Sequence, residues 1–157
     1  MKILALEFSS QKRSVAVTDD ADLLSEITTD QLKTGPLILI EQALEQAQID
    51  REEIQCLALG IGPGSYTGIR SAIAVAQGWQ LARDTPLCAV SNAEILAATA
   101  RRNGLRGETH FIIDAQRHEY YHCAWQLDDQ TQLETIPLSI IGVTSAAELK
   151  AYGPDAA

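Results

Sequence analysis

The stretch most restrictive of fold is residues 56–82, CLALGIGPGSYTGIRSAIAVAQGWQLA. An unbroken apolar run, CLALGIG (56–62), reads as a strand. A Gly-Pro-Gly turn leads into a long helical segment, about 67–83. Strand, glycine turn and helix N-terminus form the unit from which crossover sheets are built. Gly62 and Gly64 supply backbone freedom, and Ser65 or Thr67 the helix cap.

Around this unit the chain alternates strand and helix. MKILALEF opens with apolar residues 3–6 and 8, as in a central strand buried on both faces. SVAVT (14–18) and LLSEITT (23–29) continue as a meander of hairpins. Pro36 opens a helix with a stripe at Leu37, Ile40, Leu44 and Ala47, widened by Ile38 and Leu39. PLCAV (86–90) is a fifth strand, and Ser91 with Glu94 forms a capping box for a helix closed by Asn103-Gly104. The order βββαβαβα over residues 1–104 predicts a mixed sheet flanked by helices. Residues 105–157 form a shorter second unit: strands at HFIID (110–114), at the segment around 119–127 and at LETIPLSII (133–141), then a short helix capped by Ser145 and Glu148 and stopped by Gly153-Pro154. No repeat of fixed period is visible.

Composition excludes several classes. With 46% apolar residues the chain builds a core, and its net charge of −9 repels phosphate backbones and anionic membranes. No apolar run approaches the roughly 18 residues that span a bilayer. The start is too short in apolar length for a secretory signal. Cys56, Cys88 and Cys123 are widely spaced and read as reduced thiols, small buried hydrophobes of a cytoplasmic protein.

RHEYYHCAW (117–125) contains His118-Glu119-x-x-His122, the spelling of a zinc-peptidase site. That chemistry needs a helix, where residues four apart are separated by about 6 Å. Tyr121, Cys123, Trp125 and Leu127 alternate instead, so the segment is a strand and the histidines are about 13 Å apart. The expectation is two solvent-facing histidines and no metal.

The helix after the glycine turn has one stripe of Ile69, Ile73, Ala76 and Trp79 for the sheet. A second stripe has small residues: Ser71, Ala74, Val75, Gly78 and Ala82. Gly78 costs about 1 kcal/mol against alanine in a helix interior. Close packing by another helix, from this chain or a partner, offsets that cost. With Leu37, Ile38 and Ile40 of the preceding helix, Ser71, Ala74, Val75 and Gly78 are the expected partner interface.

GIGPGSYTGIRSAIAVAQGWQLA resembles the signature of the TsaB (YeaZ) family. ILALEFSS and FIIDAQRHEYYHCAW resemble that family's opening strand and later aspartate-containing segment. The resemblance covers residues 1–127 in order. It implies an actin-like ATPase, or ribonuclease H-like, fold of two related α/β units; family members usually carry a longer second unit than the shortened one here. It also implies a non-catalytic subunit for making threonylcarbamoyladenosine beside the tRNA anticodon. The implied partners are a TsaD-like catalytic paralogue and a TsaE-like ATPase, with a homodimer in isolation and tRNA met indirectly. No cofactor and no catalytic residue of its own are expected. Glu7, Ser9, Gly62, Gly64, Ser65, Asp114 and Arg117 are the positions of a residual nucleotide or anion site. Glu7 replaces the usual aspartate, and the turn EFSSQK lacks a glycine. The alternative is a small actin-like ATPase or kinase-like phosphotransferase using Glu7, Ser9, Asp114 and the glycine loop, with the zinc peptidase a further one.

Overall fold

The structure, a computed structural model, describes residues 1–31 and 33–152. Two compact units divide the chain, Met1–Val90 and Ser91–Ala157.

In the first unit, β1 (Lys2–Glu7), β2 (Arg13–Asp19) and β3 (Asp22–Thr29) form the expected meander. Helix α1 (Pro36–Ala47), a 3-10 turn at Arg51–Glu53, β4 (Cys56–Gly60), α2 (Tyr66–Arg83) and β5 (Leu87–Val90) follow. The sheet order is β3-β2-β1-β4-β5, with β1 antiparallel to β2 and parallel to β4. Leu4 stands opposite Val17 and Leu57, and Leu6 opposite Val15 and Leu59. Residues in register share a face, so these six make one apolar surface. Leu39, Ile40, Ala43 and Leu44 of α1 and Ala72 and Ala76 of α2 pack on it as one core. Both helices use the same face. Hence Ile3 and Ala5, on the other face of β1, are half-buried rather than fully enclosed as the apolar run suggests.

The second unit comprises α3 (Asn92–Arg102), β6 (Gly107–Gln116), β7 (Glu119–Leu127), β8 (Gln132–Gly142), α4 (Val143–Ala147) and β9 (Ala151–Tyr152). The capping box is present: the Glu94 carboxylate accepts from the Ser91 amide at 3.1 Å and the Ser91 hydroxyl from the Ala93 amide at 3.2 Å. Ala93, Ala97 and Ala100 pack beneath Phe111, Cys123, Trp125 and Leu127, which groups α3 with the second unit although the sequence order places it before position 104. The cysteines are free, but only Cys123 is fully buried; Cys88 is exposed.

The second sheet runs β8-β7-β6-β9, with β6 antiparallel to β7 and parallel to β9. This repeats the first sheet's β3-β2-β1-β4 order and directions, a duplication of topology without a visible repeat in sequence. The last helix begins earlier than its apparent cap: Gly142 is the N-cap, Ser145 lies inside, and the Val143 amide donates to the His118 carbonyl at 3.2 Å. The Gly153-Pro154 stop lies outside the described residues.

Candidate functional site

The glycine loop closes on the first hairpin. Gly62 and Gly64 have φ of +96° and +152°, values that exclude most side chains. A Cβ on Gly64 would lie 2.5 Å from the Ser9 carbonyl oxygen, and one on Gly68 1.8 Å from that of Phe8. The Ser65 amide donates to the Ser9 carbonyl at 2.5 Å. Ser65, not Thr67, caps α2, its hydroxyl accepting from the Gly68 amide at 3.3 Å. Glu7 Oε1 accepts from the Ser9 amide at 2.7 Å and from the Ser9 hydroxyl. Five of the seven predicted anion-site residues, Glu7, Ser9, Gly62, Gly64 and Ser65, thus belong to one closed turn of the first unit.

Chemically this turn is unlike an open phosphate cradle. The Ser65 N–H is already bonded, Pro63 has none, and Glu7 adds negative charge. Glu7 Oε2 is buried without a hydrogen-bond partner among the described residues. A buried carboxylate oxygen calls for a donor or a cation, not for an anion. Asp114 and Arg117 lie in the second unit at the β6–β7 turn. There Asp114 Oδ1 accepts from the Gln116 amide at 2.7 Å, and Gln116, Arg117 and His118 all have positive φ.

The helix faces differ in phase from the sequence stripes. Ile40 is 2% exposed and belongs to the core, so it has no surface to offer a partner, whereas Leu37 (65%) and Ile38 (51%) face outward. On α2 the buried residues are Gly68, Ala72 and Ala76, four apart, in place of Ile69 and Ile73. Ala74 and Gly78 are exposed, and Ser71 and Val75 half-buried. A Cβ on Gly78 meets nothing within 4 Å.

An open depression of about 390 Å³ lies on the first half of α2, lined among others by Tyr66, Arg70, Ser71 and Ala74. Arg70 sits 5.2 Å from the centroid of the Tyr66 ring. The sequence pattern does not single out Tyr66 and Arg70. Their signal was an aromatic and a cation four apart at the start of an otherwise small-residue helix.

His118 occupies the turn at φ +64°, Glu119 opens β7, and His122 lies within that strand. Both histidines were expected to face solvent. His122 is instead 7% exposed, because its face of β7 is covered, and its Nε2 bonds Nδ1 of His110 at 3.0 Å. Among the described residues no cluster of three metal-ligating side chains occurs.

A five-stranded mixed sheet with two helices on one face, repeated in its strand order by the second sheet, defines the actin-like ATPase, or ribonuclease H-like, class. The family model described as TsaD, tRNA N6-adenosine threonylcarbamoyltransferase, matches residues 26–155, and the chain belongs to this family. Its similarity runs to the TsaB/YeaZ proteins along most of its length. The tRNA threonylcarbamoyladenosine biosynthesis protein TsaB of Escherichia coli is 30% identical over 82% of this chain and 57% of its own length. The same-named protein of Bacillus subtilis is 28% identical over 87% of this chain and 60% of its own. The structure of YeaZ from Pseudomonas aeruginosa superposes with a TM-score of 0.81 at 29% identity, covering 90% of this chain and 66% of that one. The chain therefore spans little more than half the length of these curated relatives.

Proposed function

We propose that the chain is a non-catalytic partner subunit in the formation of threonylcarbamoyladenosine in tRNA. It pairs through α1 and α2 with a TsaD-like catalytic paralogue. The observation that carries this reading is the outer face of those helices. Leu37 and Ile38 of α1 and Tyr66 of α2 are exposed, as are the small residues Ala74 and Gly78 of α2, while the core stripes lie on the opposite side. Large apolar groups around a small-residue strip suit helix-to-helix docking. Alone, the chain uses the same face for a homodimer. A TsaE-like ATPase joins the pair, and tRNA is met through the partners, in keeping with the −9 net charge. The reading places this work in the cytoplasm. No described helix is long and apolar enough to cross a membrane.

The closed glycine loop supports the absence of independent catalysis. Affinity capture with the TsaD-type paralogue from the same genome tests the proposal. Gly78→Leu and Ile38→Asp, each in the full chain, are expected to weaken pairing at least tenfold while leaving the fold intact by circular dichroism. Undiminished pairing in both variants refutes the interface. Tight ATP binding by the isolated chain counts against the non-catalytic role.

A further inference from the structure

The zinc-like motif leaves one histidine, His122, in a position that the proposed function does not use. Its real partner is not His118, four residues away, but His110 on the neighbouring strand. The two rings lie within 9° of parallel, with centroids 5.3 Å apart and nitrogens 3.0 Å apart, so they meet edge to edge. A single N–H···N bond joins them, whichever ring holds the shared proton.

We propose that the His110–His122 pair is an acid-sensitive latch of the second unit, closed by one shared proton and forced open when both facing nitrogens carry one. The proton count follows from the geometry. With His110 Nδ1 donating to His122 Nε2, the Nε2 of His110 lies outside the bridge, 3.6 Å from a Glu108 oxygen, and a proton there leaves the bridge intact. With a further proton on His122 Nε2 the bridge has no acceptor. Two N–H groups then face each other and two imidazolium charges adjoin, which no hydrogen bond offsets.

The surroundings offer little relief. β6 contributes Glu108 and Asp114 to this face, β7 contributes Tyr120, β8 opposes His122 with Ser139, and β9 opposes His110 with Ala151. α4 packs against β7 and β8 with Ala146 buried, while its neighbours Glu148 and Lys150 are exposed. Glu108 is the one carboxylate in ion-pair reach among the described residues, and it serves His110, not His122. Burial lowers the pKa of His122, and the charge of His110 lowers it further.

The sign follows. The unfolded or opened chain takes up a proton at His122 near the ordinary value, and the closed form resists it. The closed state is therefore fully favoured above that value and loses ground as pH falls below it. The opening equilibrium rises roughly tenfold per pH unit below about 6.5 until the closed form protonates.

Hydrogen exchange read by mass spectrometry on the full chain tests this, with β1–β4 peptides as the internal reference. After correction for intrinsic exchange chemistry, β7–β8 amides of the wild type are expected to open several-fold to about tenfold more often at pH 5.5 than at 6.5. The β1–β4 amides change little. His122→Gln keeps a polar side chain and is expected to flatten the dependence. Should that variant fail to fold, imidazole NMR titration of the wild type decides. Stepwise uptake, with one ring protonating and the other resisting until β7–β8 signals collapse, supports the latch. Two independent titrations near the ordinary value overturn it, as does an undiminished pH dependence in His122→Gln or a flat response in the wild type.

Discussion

Gly68→Ala places a methyl group 1.8 Å from the Phe8 carbonyl oxygen, where real Cβ contacts stay beyond 3.0 Å. The obstacle is backbone, immediately after β1, and Phe8 itself is 1% exposed in the core. It cannot swing aside as a lysine tip would. The start of α2 has to retreat by more than about 1 Å, which pulls Ala72 and Ala76 off Leu57 and Leu59. Overpacking of this kind costs about 1–3 kcal/mol. The better helix propensity of alanine returns up to about 1 kcal/mol, and a cavity left by the retreating helix adds to the loss. The net expectation is a loss of about 2 kcal/mol, roughly 8–16 °C in Tm for a unit of this size.

Gly78→Ala in the same helix is the internal control. Its Cβ meets nothing within the chain, so in dilute, unpaired protein propensity alone acts and stability rises by about 0.5–1 kcal/mol. Urea unfolding followed by Trp79 fluorescence, in a Trp125→Phe background common to all variants, reads both changes. A Gly68→Ala variant within about 0.5 kcal/mol of its parent refutes the close approach of α2 to β1. At concentrations where the chain pairs with itself, a concentration-dependent loss in Gly78→Ala is expected, because a second copy covers this face.

Two further outcomes follow from side chains outside that helix. Ser25, 3% exposed, donates its hydroxyl to the Ala43 carbonyl at 2.7 Å, so Ser25→Ala is expected to cost about 1 kcal/mol by the same urea assay. Asp128 is held at a pKa of about 2, below its ordinary 3.8, by hydrogen bonds from the Thr131 hydroxyl and the Thr131 and Gln130 amides. A depressed carboxylate stabilises the fold above its ordinary pKa and ceases to as pH falls through the folded value. Asp128→Asn should therefore flatten the acid limb of the stability curve between about pH 4 and 2.

Element order was readable in the sequence because strand and helix each leave their own period. The meander, the strand before the glycine turn and the Ser91–Glu94 cap are where apolar runs and cap chemistry place them. Helix phase was harder. Four apolar residues in a row, Leu37 to Ile40, allow α1 to bury either of two adjacent faces, and periodicity alone does not choose. The structure turns Leu39, Ile40, Ala43 and Leu44 inward, with the Ala43 carbonyl meeting Ser25, and leaves Leu37 outside. On α2 the buried stripe is Gly68, Ala72 and Ala76, residues whose hydrophobic signal is weak. What selects them is size, since β1 and the helix start are too close for anything larger. The burial of His122 is not legible in the sequence for a related reason. Alternation sorts residues onto two faces of a strand but does not tell whether the polar face is covered.

The same closeness bears on what the glycine loop is for. A glycine-rich turn between strand and helix reads equally as a cradle for an anion or as a hinge allowing two backbones to touch. Gly64 distinguishes them. Its Cβ position is filled by Ser9, and the adjacent Ser65 N–H, which a phosphate would claim, ends on the Ser9 carbonyl. To admit an anion, the loop would have to break that bond, separate from the first hairpin and tolerate Glu7 beside the new charge. Each step opposes binding, and the first two also uncover Phe8. The glycines are therefore required by the packing of the first hairpin against α2, and that packing fixes how α2 presents Tyr66, Arg70, Ala74 and Gly78 outward. A substitution in the loop that leaves α2 helical but loosens its start should disturb partner binding before it disturbs anything resembling nucleotide chemistry. Gly64→Ala is the variant that puts this to the test: its pairing constant is expected to fall with its stability, and retention of full pairing in a destabilised variant would separate the loop from the interface.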